Sequence, residues 1–551
     1  MTYFETLASS NMGTKDRYER LREQATTSER DSSPHTLLAV VSLAISLLLL
    51  APLVWIFLRA GEIESARAVE LLTSDTTVSV TLNTLVLVTG VTVASILIGV
   101  PLAILTAQTD LPFKRFWTIT SALPLVVPSY IGAFAFVSAF GPRGVLADLL
   151  SPLGIEQIPT IYGLHGAILV LTLFTYPYVF LTTRASLLSF DGTVVEAART
   201  LNHTRWEAFR RVTLPQIAPG IAAGALLVAL YALSDFGTPA IMQYDVFTRM
   251  IYNEFGARRL DYASVLSMLL LVMALGILAV ESRLSAGRDG AYVSSGSRRP
   301  GLIRLGYWKA PALLFCGAIA SLCLVLPIGI LLQWLLRSGT GYTGGGFAFE
   351  ASYAWNSVGL AAAAAAICVV AALPIAYLAA RGSSGLSSLP ERATYVGYAV
   401  PGVVLGLALV YLGLRYVPFL YQSVILLVFA YVIRFLPQAV GTTESSILQV
   451  DPQYIEAARS LGYHPLSAFR KVVLPLVAPG IVAGAALVFL TTMKELPATL
   501  MLRPTGFETF VTYIWLVQGA GYYGQAAVPA LVLVGLSGLS MLVILRREDT
   551  S

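Results

Sequence analysis

Long apolar stretches, separated by short polar segments, occupy most of this 551-residue chain. A helix that crosses a bilayer needs about 20 mostly apolar residues, because the hydrocarbon core is about 30 Å thick and each residue rises about 1.5 Å. Stretches of this length without Asp, Glu, Lys or Arg predict twelve spans, the ninth and tenth divided only by Arg415: 32–58, 76–109, 116–142, 157–183, 212–234, 262–280, 310–336, 351–380, 393–414, 416–433, 472–493 and 509–545. The pattern therefore predicts an all-α integral membrane protein of about 12 transmembrane helices.

The composition agrees with this fold class and excludes several functions. Hydrophobic residues make up 56% of the chain and charged residues 12%, whereas soluble domains carry about 25% charged residues. The net charge of +5 is too small to indicate nucleic-acid binding. Three cysteines in apolar stretches and four scattered histidines predict no disulfide framework and no metal site. Without a Gly-Lys dipeptide there is no P-loop, and no acid–base or nucleophile constellation predicts catalytic residues.

Basic residues set the predicted orientation. If the N-terminus, the loops after even-numbered spans and the C-terminus face the cytoplasm, 25 of the 36 Lys and Arg residues lie on that side and 10 on the other. This asymmetry follows the positive-inside tendency, so both termini are predicted to be cytoplasmic. Arg434 is the one basic residue left inside a span, and the sequence assigns it no specific role.

Two segments of the chain repeat each other. Residues 196–228 recur at 456–488 with an offset of 260 and no gap, and 20 of these 33 positions are identical. Earlier in each half the offset becomes 273, which pairs Asn83 with Asn356. The chain is therefore predicted to be a tandem duplication of a six-span unit. Because both copies enter the membrane from the same side, they form parallel repeats.

The repeats predict the following organisation: a cytoplasmic N-terminal segment 1–36, a first repeat 37–280 with a cytoplasmic loop at about 190–215, a polar cytoplasmic linker 281–309, a second repeat 310–545 with its loop at about 450–475, and a cytoplasmic tail 546–551.

The repeated cytoplasmic loop has the pattern of a short helix-turn-helix. Asp451 followed by Pro452 provides a helix N-cap and first-turn proline, and Asp191 stands at the matching position of the first copy. One interpretation is an amphipathic loop on the membrane surface whose basic residues meet lipid head groups. Two near-identical copies favour the other interpretation, in which the loops dock on a symmetric cytoplasmic partner.

This loop resembles the EAA loop of ABC importer permeases, in which Glu-Ala-Ala is followed by Gly and then by Leu-Pro. The second copy matches fully and the first has Asn in place of the Gly; the residues that the resemblance assigns to ATPase coupling are Glu196, Ala197, Ala198, Arg199, Asn202, Leu214 and Pro215, and Glu456, Ala457, Ala458, Arg459, Gly462, Leu474 and Pro475. Asn also tolerates the left-handed backbone that such a turn can require.

The resemblance extends over essentially the whole chain and implies a type I ABC importer permease of the binding-protein-dependent kind, with both transmembrane halves fused. It further implies a homodimeric cytoplasmic ABC ATPase that uses ATP and Mg, an extracytoplasmic solute-binding protein, and a multi-pass location in a prokaryotic inner or plasma membrane. No cofactor is expected on this chain itself.

A polar motif after the fifth span of each half marks a candidate pathway or gate, because the repeat offset pairs two carboxylates, Asp235 and Glu495. Ionisable residues in a membrane usually face protein or water. The candidate residues are Asp235, Phe236, Gly237, Pro239, Lys494, Glu495 and Pro497. The carboxylates could meet a cationic solute or pair with Lys494; alternatively, they are helix-end charges that mark the lipid boundary. Beyond the motifs, two outer loop helices are predicted, where Arg249, Arg258 and Arg259 could pair with acids on an external partner or be solvated.

The sequences Ser234-Asp-Phe-Gly-Thr-Pro239, Lys494-Glu-Leu-Pro-Ala-Thr-Leu500 and Pro124-Leu-Val-Val-Pro-Ser-Tyr-Ile-Gly-Ala133 resemble the ferric-iron subgroup of fused permeases. This resemblance implies uptake of Fe(III) or a small ferric complex, although nothing in composition or spacing indicates iron. Similar permeases carry thiamine, polyamines or phosphonates. A secondary transporter also has two parallel halves, but its ion-coupling groups are not evident in these nearly charge-free spans. A membrane enzyme or scaffold is the third alternative.

Overall fold

The computed structural model describes residues 32–141, 151, 160–189, 204–286, 302–336, 348–382 and 387–548. The helices of the first half are α1 (Ser32–Gly61), α2 (Ser65–Thr73), α3 (Asp75–Gln108), α4 (Lys114–Ala122), α5 (Ser129–Phe140), α6 (Leu164–Ser189), α7 (Phe209–Ser234), α8 (Gly237–Ile241), α9 (Phe247–Gly256) and α10 (Leu260–Ala286). Those of the second half are α11 (Gly306–Leu336), α12 (Ala351–Arg381), α13 (Leu389–Ala399), α14 (Gly402–Arg415), α15 (Val424–Leu448), α16 (Pro452–Ser460), α17 (Leu466–Met493), α18 (Pro497–Leu502), α19 (Phe510–Gly519) and α20 (Tyr523–Glu548).

Within these residues every regular element is helical, apart from one isolated β-bridge between Thr109 and Ile303. Nine of the described helices are long and apolar enough to cross a membrane, or up to eleven if each of two bent helix pairs counts as one span. The predicted fold class, an all-α integral membrane protein, is confirmed. The two pairs break at Pro128 and Pro401, and in the first pair the flanking helices meet at 95°. Proline breaks a helix because it lacks the N–H group and clashes with the preceding turn.

The tenth and twelfth predicted spans differ most from the observed helices. The tenth window, 416–433, ends at Arg434, whereas α15 begins at Val424 and continues through Arg434 and Pro437. The charge did not end the helix, because a buried carboxylate neutralises it, as described below. The twelfth window, 509–545, contains two separate helices, α19 and α20, of which only α20 has the length of a span.

The chain forms two compact units. The larger comprises 51–365, 396–435 and 486–551, and the smaller comprises 1–50, 366–395 and 436–485. In the larger unit, α3, α6 and α7 pack together. Gly224 of α7 lies so close to α6 that a Cβ atom there would approach Val179 Cα to 2.6 Å. Small residues such as glycine let membrane helices approach each other closely.

The smaller unit contains the same helix contact from the second repeat. Gly480 and Gly484 of α17 face Ser446 and Thr442 of α15, and a Cβ atom at Gly484 would lie 2.4 Å from the Thr442 hydroxyl oxygen. The first repeat has Gly224 against the Thr182 hydroxyl, also at 2.4 Å. Residues that correspond at the 260 offset therefore make corresponding contacts.

Within the larger unit, the two repeats also contact each other. The ring of Phe134 in α5 lies 4.6 Å from that of Trp334 in α11 and 5.1 Å from that of Tyr523 in α20. Trp334 donates a hydrogen bond to the Ser138 hydroxyl, 3.1 Å away. The second half of the broken span is thus held in a core to which both repeats contribute.

Candidate functional site

Asp235 follows the last residue of α7 and is half-buried, and both of its carboxylate oxygens accept hydrogen bonds from the protein. Its Oδ1 accepts a hydrogen bond of 2.6 Å from the Ser129 hydroxyl, at the start of α5. Its Oδ2 accepts one of 2.9 Å from the Thr238 N–H group, in the first turn of α8. The carboxylate therefore caps α8 and joins it to the break in the preceding bent span.

Glu495 has the same position in the second repeat. Its Oε1 accepts a hydrogen bond of 3.2 Å from the Ala498 N–H group, in the first turn of α18. Its Oε2 forms an ion pair of 2.6 Å with the Arg434 guanidinium. Both predicted carboxylates therefore cap a short helix, but only Glu495 has an ionic partner in direct contact.

The difference between the two sites follows from two substitutions between the repeats. At the offset of 273, Gly402 stands where the first repeat has Ser129, and at the offset of 260, Arg434 stands where it has Phe174. A Cβ atom at Gly402 would lie 2.1 Å from the Arg434 guanidinium and 2.5 Å from the Glu495 carboxylate. Glycine is thus required at position 402 because the arginine fills the space of a side chain.

Lys494 does not pair with either carboxylate, which corrects the sequence expectation for this residue. Its ammonium group donates a hydrogen bond of 3.0 Å to the carbonyl of Leu125, in the turn that breaks the first bent span. The carbonyls at a helix end lack partners within the helix, so an adjacent cation satisfies one of them. Lys494 of the second repeat therefore stabilises the break in the first.

Two tyrosines bring the carboxylates into one polar cluster. Tyr231 donates a hydrogen bond of 3.3 Å to the Ser129 hydroxyl and interacts electrostatically with Asp235, Arg434 and Glu495. Tyr130 is buried beside both carboxylates. The other predicted pathway residues adjoin this cluster: Phe236 precedes α8, Gly237 packs on the Tyr130 side chain, Pro239 lies in α8, and Pro497 begins α18.

A cavity of about 270 Å³ lies next to the cluster, and both repeats line it. Its wall includes Phe236, whose ring centroid is 4.7 Å from that of Tyr252 in α9 and 5.1 Å from that of Trp515 in α19. Gln243 and Asn253 line it as exposed residues, so the cavity opens to solvent. We call it the aromatic cavity. Sequence reasoning identified Phe236 but missed Tyr252 and Trp515 as its neighbours.

The helices α9 and α19 that carry these aromatic side chains are held in the same way in both repeats. Asn83 of α3 donates to the carbonyl of Asp245, and Asn356 of α12 donates to that of Glu508, at 3.0 and 2.8 Å. Both acceptors precede the short helix by two residues. The paired asparagines recognised in the sequence therefore have the same structural role.

The predicted outer arginines are partly engaged within the protein. Arg249 forms an ion pair of 2.7 Å with Asp245, and Arg259 pairs with Glu254. Arg258 is exposed.

In the second EAA-like loop, α16 begins at Pro452 with Asp451 as N-cap, whose carboxylate accepts a hydrogen bond of 2.9 Å from Gln453 N–H. Glu456, Ala457 and Arg459 are exposed, and only Ala458 is buried.

The helix ends in a left-handed turn at Gly462, where φ is +84°. Just before the helix, the Arg381 guanidinium donates to the carbonyls of Ile447 and Val450 and fixes the chain at the N-cap. Leu474 and Pro475 then lie in α17, after a π-helical turn at Phe469–Val473.

The first loop lies largely outside the described residues, which exclude Glu196, Ala197, Ala198, Arg199 and Asn202. Where the description resumes, Phe209–Thr213 forms a π-helical turn like that of the second loop, and Leu214 and Pro215 follow it in α7. The matching turns indicate that the repeat extends to this unusual local conformation.

Residues 95–282 and 372–548 match the family of binding-protein-dependent transport system inner membrane components. The chain is similar to the Fe(3+)-transport system permease protein FbpB 2 of Haemophilus influenzae, with 30% identity over 512 residues, 92% of this chain and 97% of the relative. It is 25% identical to the ferric transport system permease protein FbpB of Actinobacillus pleuropneumoniae, over 82% of this chain and 68% of that protein. The thiamine transport system permease protein ThiP of Escherichia coli is 24% identical, over 77% of this chain and 80% of that protein.

A multi-pass helical protein with two repeats, each with its own broken span and capped polar motif, is a transport permease. This chain belongs to the family of binding-protein-dependent transport system inner membrane components, and is the permease subunit of an ABC importer. Its relatives are permease subunits, which are generally non-catalytic, and membership implies an ATPase and a solute-binding protein as partners.

Proposed function

We propose that this permease imports ferric iron. The observation that supports the substrate is the extent of similarity: the match to an Fe(3+) permease covers nearly the whole of both chains, whereas the match to a thiamine permease is lower in identity and in coverage. Fe(III) or a small ferric complex is the solute, and thiamine, polyamines and phosphonates are the competing substrates.

The test is uptake by the whole transporter in proteoliposomes. The chain is reconstituted with the ATPase and the solute-binding protein encoded beside it, and ATP-dependent accumulation of labelled ferric iron is compared with that of labelled thiamine. We expect iron uptake that needs both partners. Thiamine uptake without iron uptake would contradict the substrate, and gradient-driven uptake by this chain alone would support a secondary transporter.

For the mechanism, we propose that α16 and the matching sequence segment of the first loop dock on a homodimeric cytoplasmic ATPase, which binds ATP and Mg. Exposure of Glu456, Ala457 and Arg459 leaves this helix face open to such a partner. Closure of the ATPase on ATP then draws the two loops together and turns the pathway outward. This coupling requires the ATP-bound partner to bind the two transmembrane conformations with different free energies.

The double variant Glu196→Arg/Glu456→Arg tests this docking. A reversal of charge in both loops should abolish uptake and solute-stimulated ATP hydrolysis while the protein remains in the membrane. The control is Arg67→Gln/Glu70→Gln, which removes an exposed ion pair in α2. Normal coupled transport by the double loop variant would refute the assignment.

We further propose that both chain termini are cytoplasmic, because 25 of the 36 Lys and Arg residues then lie on that side. In the same proposal, the polar cluster of Asp235, Ser129, Glu495, Arg434 and Lys494 lies on the solute pathway. What supports this is the position of the cluster, beside a solvent-open cavity and at the broken span of the first repeat. Phe236, between the cavity and Asp235, then acts as the apolar gate residue.

A further inference from the structure

The aromatic cavity has a lining whose chemistry restricts its ligand. Three phenols, from Tyr162, Tyr252 and Tyr523, and the amides of Gln243, Asn253 and Gln518 provide its polar groups, and Arg249 provides a charge. None of the described residues in this lining carries a carboxylate. The paired acid of Arg249, Asp245, is not among the lining side chains either.

A bare multivalent cation is poorly served by such a site. Hard cations are bound in proteins mainly by carboxylate and carbonyl oxygens, and among the described lining side chains only the three amides supply such an oxygen. Burial raises the pKa of Tyr252 above its ordinary value, which disfavours the phenolate form that would neutralise a bound cation. The guanidinium of Arg249 adds repulsion.

The same groups suit an anion with several oxygen atoms. Phenol O–H groups and amide N–H groups donate hydrogen bonds, and a guanidinium donates charge-assisted hydrogen bonds to carboxylate or phosphate oxygens. Arg249 donates a hydrogen bond to Asp245 from one nitrogen, Nη1, and a guanidinium carries five donors in all.

The volume of the cavity indicates whether it is sized for a single ion or for an ion complex. A water molecule takes about 30 Å³ of liquid volume, so the cavity of about 270 Å³ has room for far more than a single ion. A metal ion with one or two small multidentate anions is of a suitable size.

We infer that the aromatic cavity is a solute-binding site that takes ferric iron as a neutral or anionic complex with oxygen-rich anions, rather than as a bare ion or an organic cation. This inference rests on the proposed ferric function and specifies the chemical form of the substrate. Arg249 is its specificity-determining residue, and Phe236, Tyr252 and Trp515 form its apolar side.

The test is equilibrium binding of labelled ferric citrate to the purified full chain in lipid nanodiscs. We expect saturable binding that gallium citrate displaces and that thiamine and spermidine do not. Arg249→Gln should weaken binding about tenfold or more, the loss of one charge-assisted hydrogen bond. Arg249→Lys should weaken it less, because it keeps the charge without the planar fork.

Two further variants control for structural damage. Asp245→Asn leaves Arg249 free of its ionic partner and should strengthen ferric citrate binding, a change that misfolding does not produce. Arg67→Gln, on α2 and outside the lining, should leave binding unchanged.

The inference is overturned if the wild-type chain shows no saturable binding, if Arg249→Gln binds like Arg67→Gln, or if thiamine or spermidine displaces ferric citrate as well as gallium citrate does. These results are separable from those that test the proposed function. A complete transporter that imports labelled iron with an unchanged KM in the Arg249→Gln variant refutes the binding site and leaves ferric transport intact. A transporter that imports thiamine and no iron refutes the function itself.

Discussion

Arg434 and Glu495 form a 2.6 Å ion pair in the second repeat, with their side chains only 16% and 7% exposed. At the equivalent described positions of the first repeat, Phe174 replaces the arginine, and Ser129 donates a hydrogen bond to the carboxylate instead. The two halves of the permease thus stabilise equivalent carboxylates by different chemistry.

Removal of one member of the buried pair should be far more harmful than removal of both. Arg434→Leu leaves Glu495 as an uncompensated buried charge and should lower the free energy of unfolding by about 3–5 kcal/mol. Arg434→Leu/Glu495→Gln should recover most of that loss. The measurement is unfolding of the purified protein in mixed micelles. The exposed pair Arg67–Glu70 is the control, worth about 0–1 kcal/mol. Additive losses in the double variant would contradict the ion pair.

Exchange of the residues at the two span breaks should have unequal effects. Gly402→Ser places a side chain where the Arg434 guanidinium lies, so it should displace the arginine and destabilise the protein as much as the loss of the pair. Ser129→Gly removes the hydroxyl that donates to Asp235 and accepts from Tyr231, and should cost about 1.5–3 kcal/mol. The same unfolding measurement compares them, and a Gly402→Ser protein as stable as the wild type would refute the packing argument.

Gly462 should tolerate Asn but not Val. Its φ of +84° is left-handed, and no atom lies within 4 Å of where a Cβ would be, so backbone strain rather than collision decides the outcome. Asn, which the first repeat has at position 202, adopts this conformation readily, whereas a β-branched residue costs about 1–2 kcal/mol. We expect Gly462→Val to reduce solute-stimulated ATP hydrolysis and Gly462→Asn to preserve it. Gly359→Val, at another uncrowded glycine, is the control; equal activity of both Gly462 variants would contradict the argument.

Asp110 of the first repeat contacts the residues at the start of α11. Its carboxylate accepts a hydrogen bond of 2.8 Å from Leu305 N–H and pairs with Lys309 at 2.8 Å. The Leu305 hydrogen bond and, next, Lys309 lower the pKa of Asp110 below its ordinary value. A depressed pKa in the folded state contributes stability above the unfolded pKa of about 3.9 that is lost as the pH falls through the folded value.

We therefore expect this contact to be intact at neutral pH and to open in strong acid or in Asp110→Asn. The measurement is hydrogen exchange of the Ile303 and Leu305 amides, normalised to the intrinsic rate at each pH. Both should exchange faster in Asp110→Asn at pH 7, and the wild type should approach that rate only below about pH 4. Lys309→Met is the matched variant and should have a smaller effect, because the backbone hydrogen bond remains. Unchanged protection in Asp110→Asn would show that the carboxylate does not hold this junction.

Much of the architecture could be read from the chain because it depends on local and periodic features. Charge-free stretches predicted the helical spans, and the recurring EAA segment predicted the duplication and the start of α16 at Pro452. The predicted tenth span is displaced from α15 because its window ends at the intramembrane residue Arg434. A charge ends a span only if it lacks a partner, and the partner of Arg434 lies far along the sequence.

The sequence alone determined the fold class, the two repeats and the pair of carboxylates at equivalent positions, because each is encoded by the order of apolar, charged and turn-forming residues. Tertiary packing places Lys494 at the break of a span instead of beside a carboxylate, seats an arginine in the space beside Gly402, and brings Phe236 against Tyr252 and Trp515 beside a cavity. These contacts join residues from distant parts of the chain. Their geometry depends on how helices pack in three dimensions, which the linear order of residues does not specify.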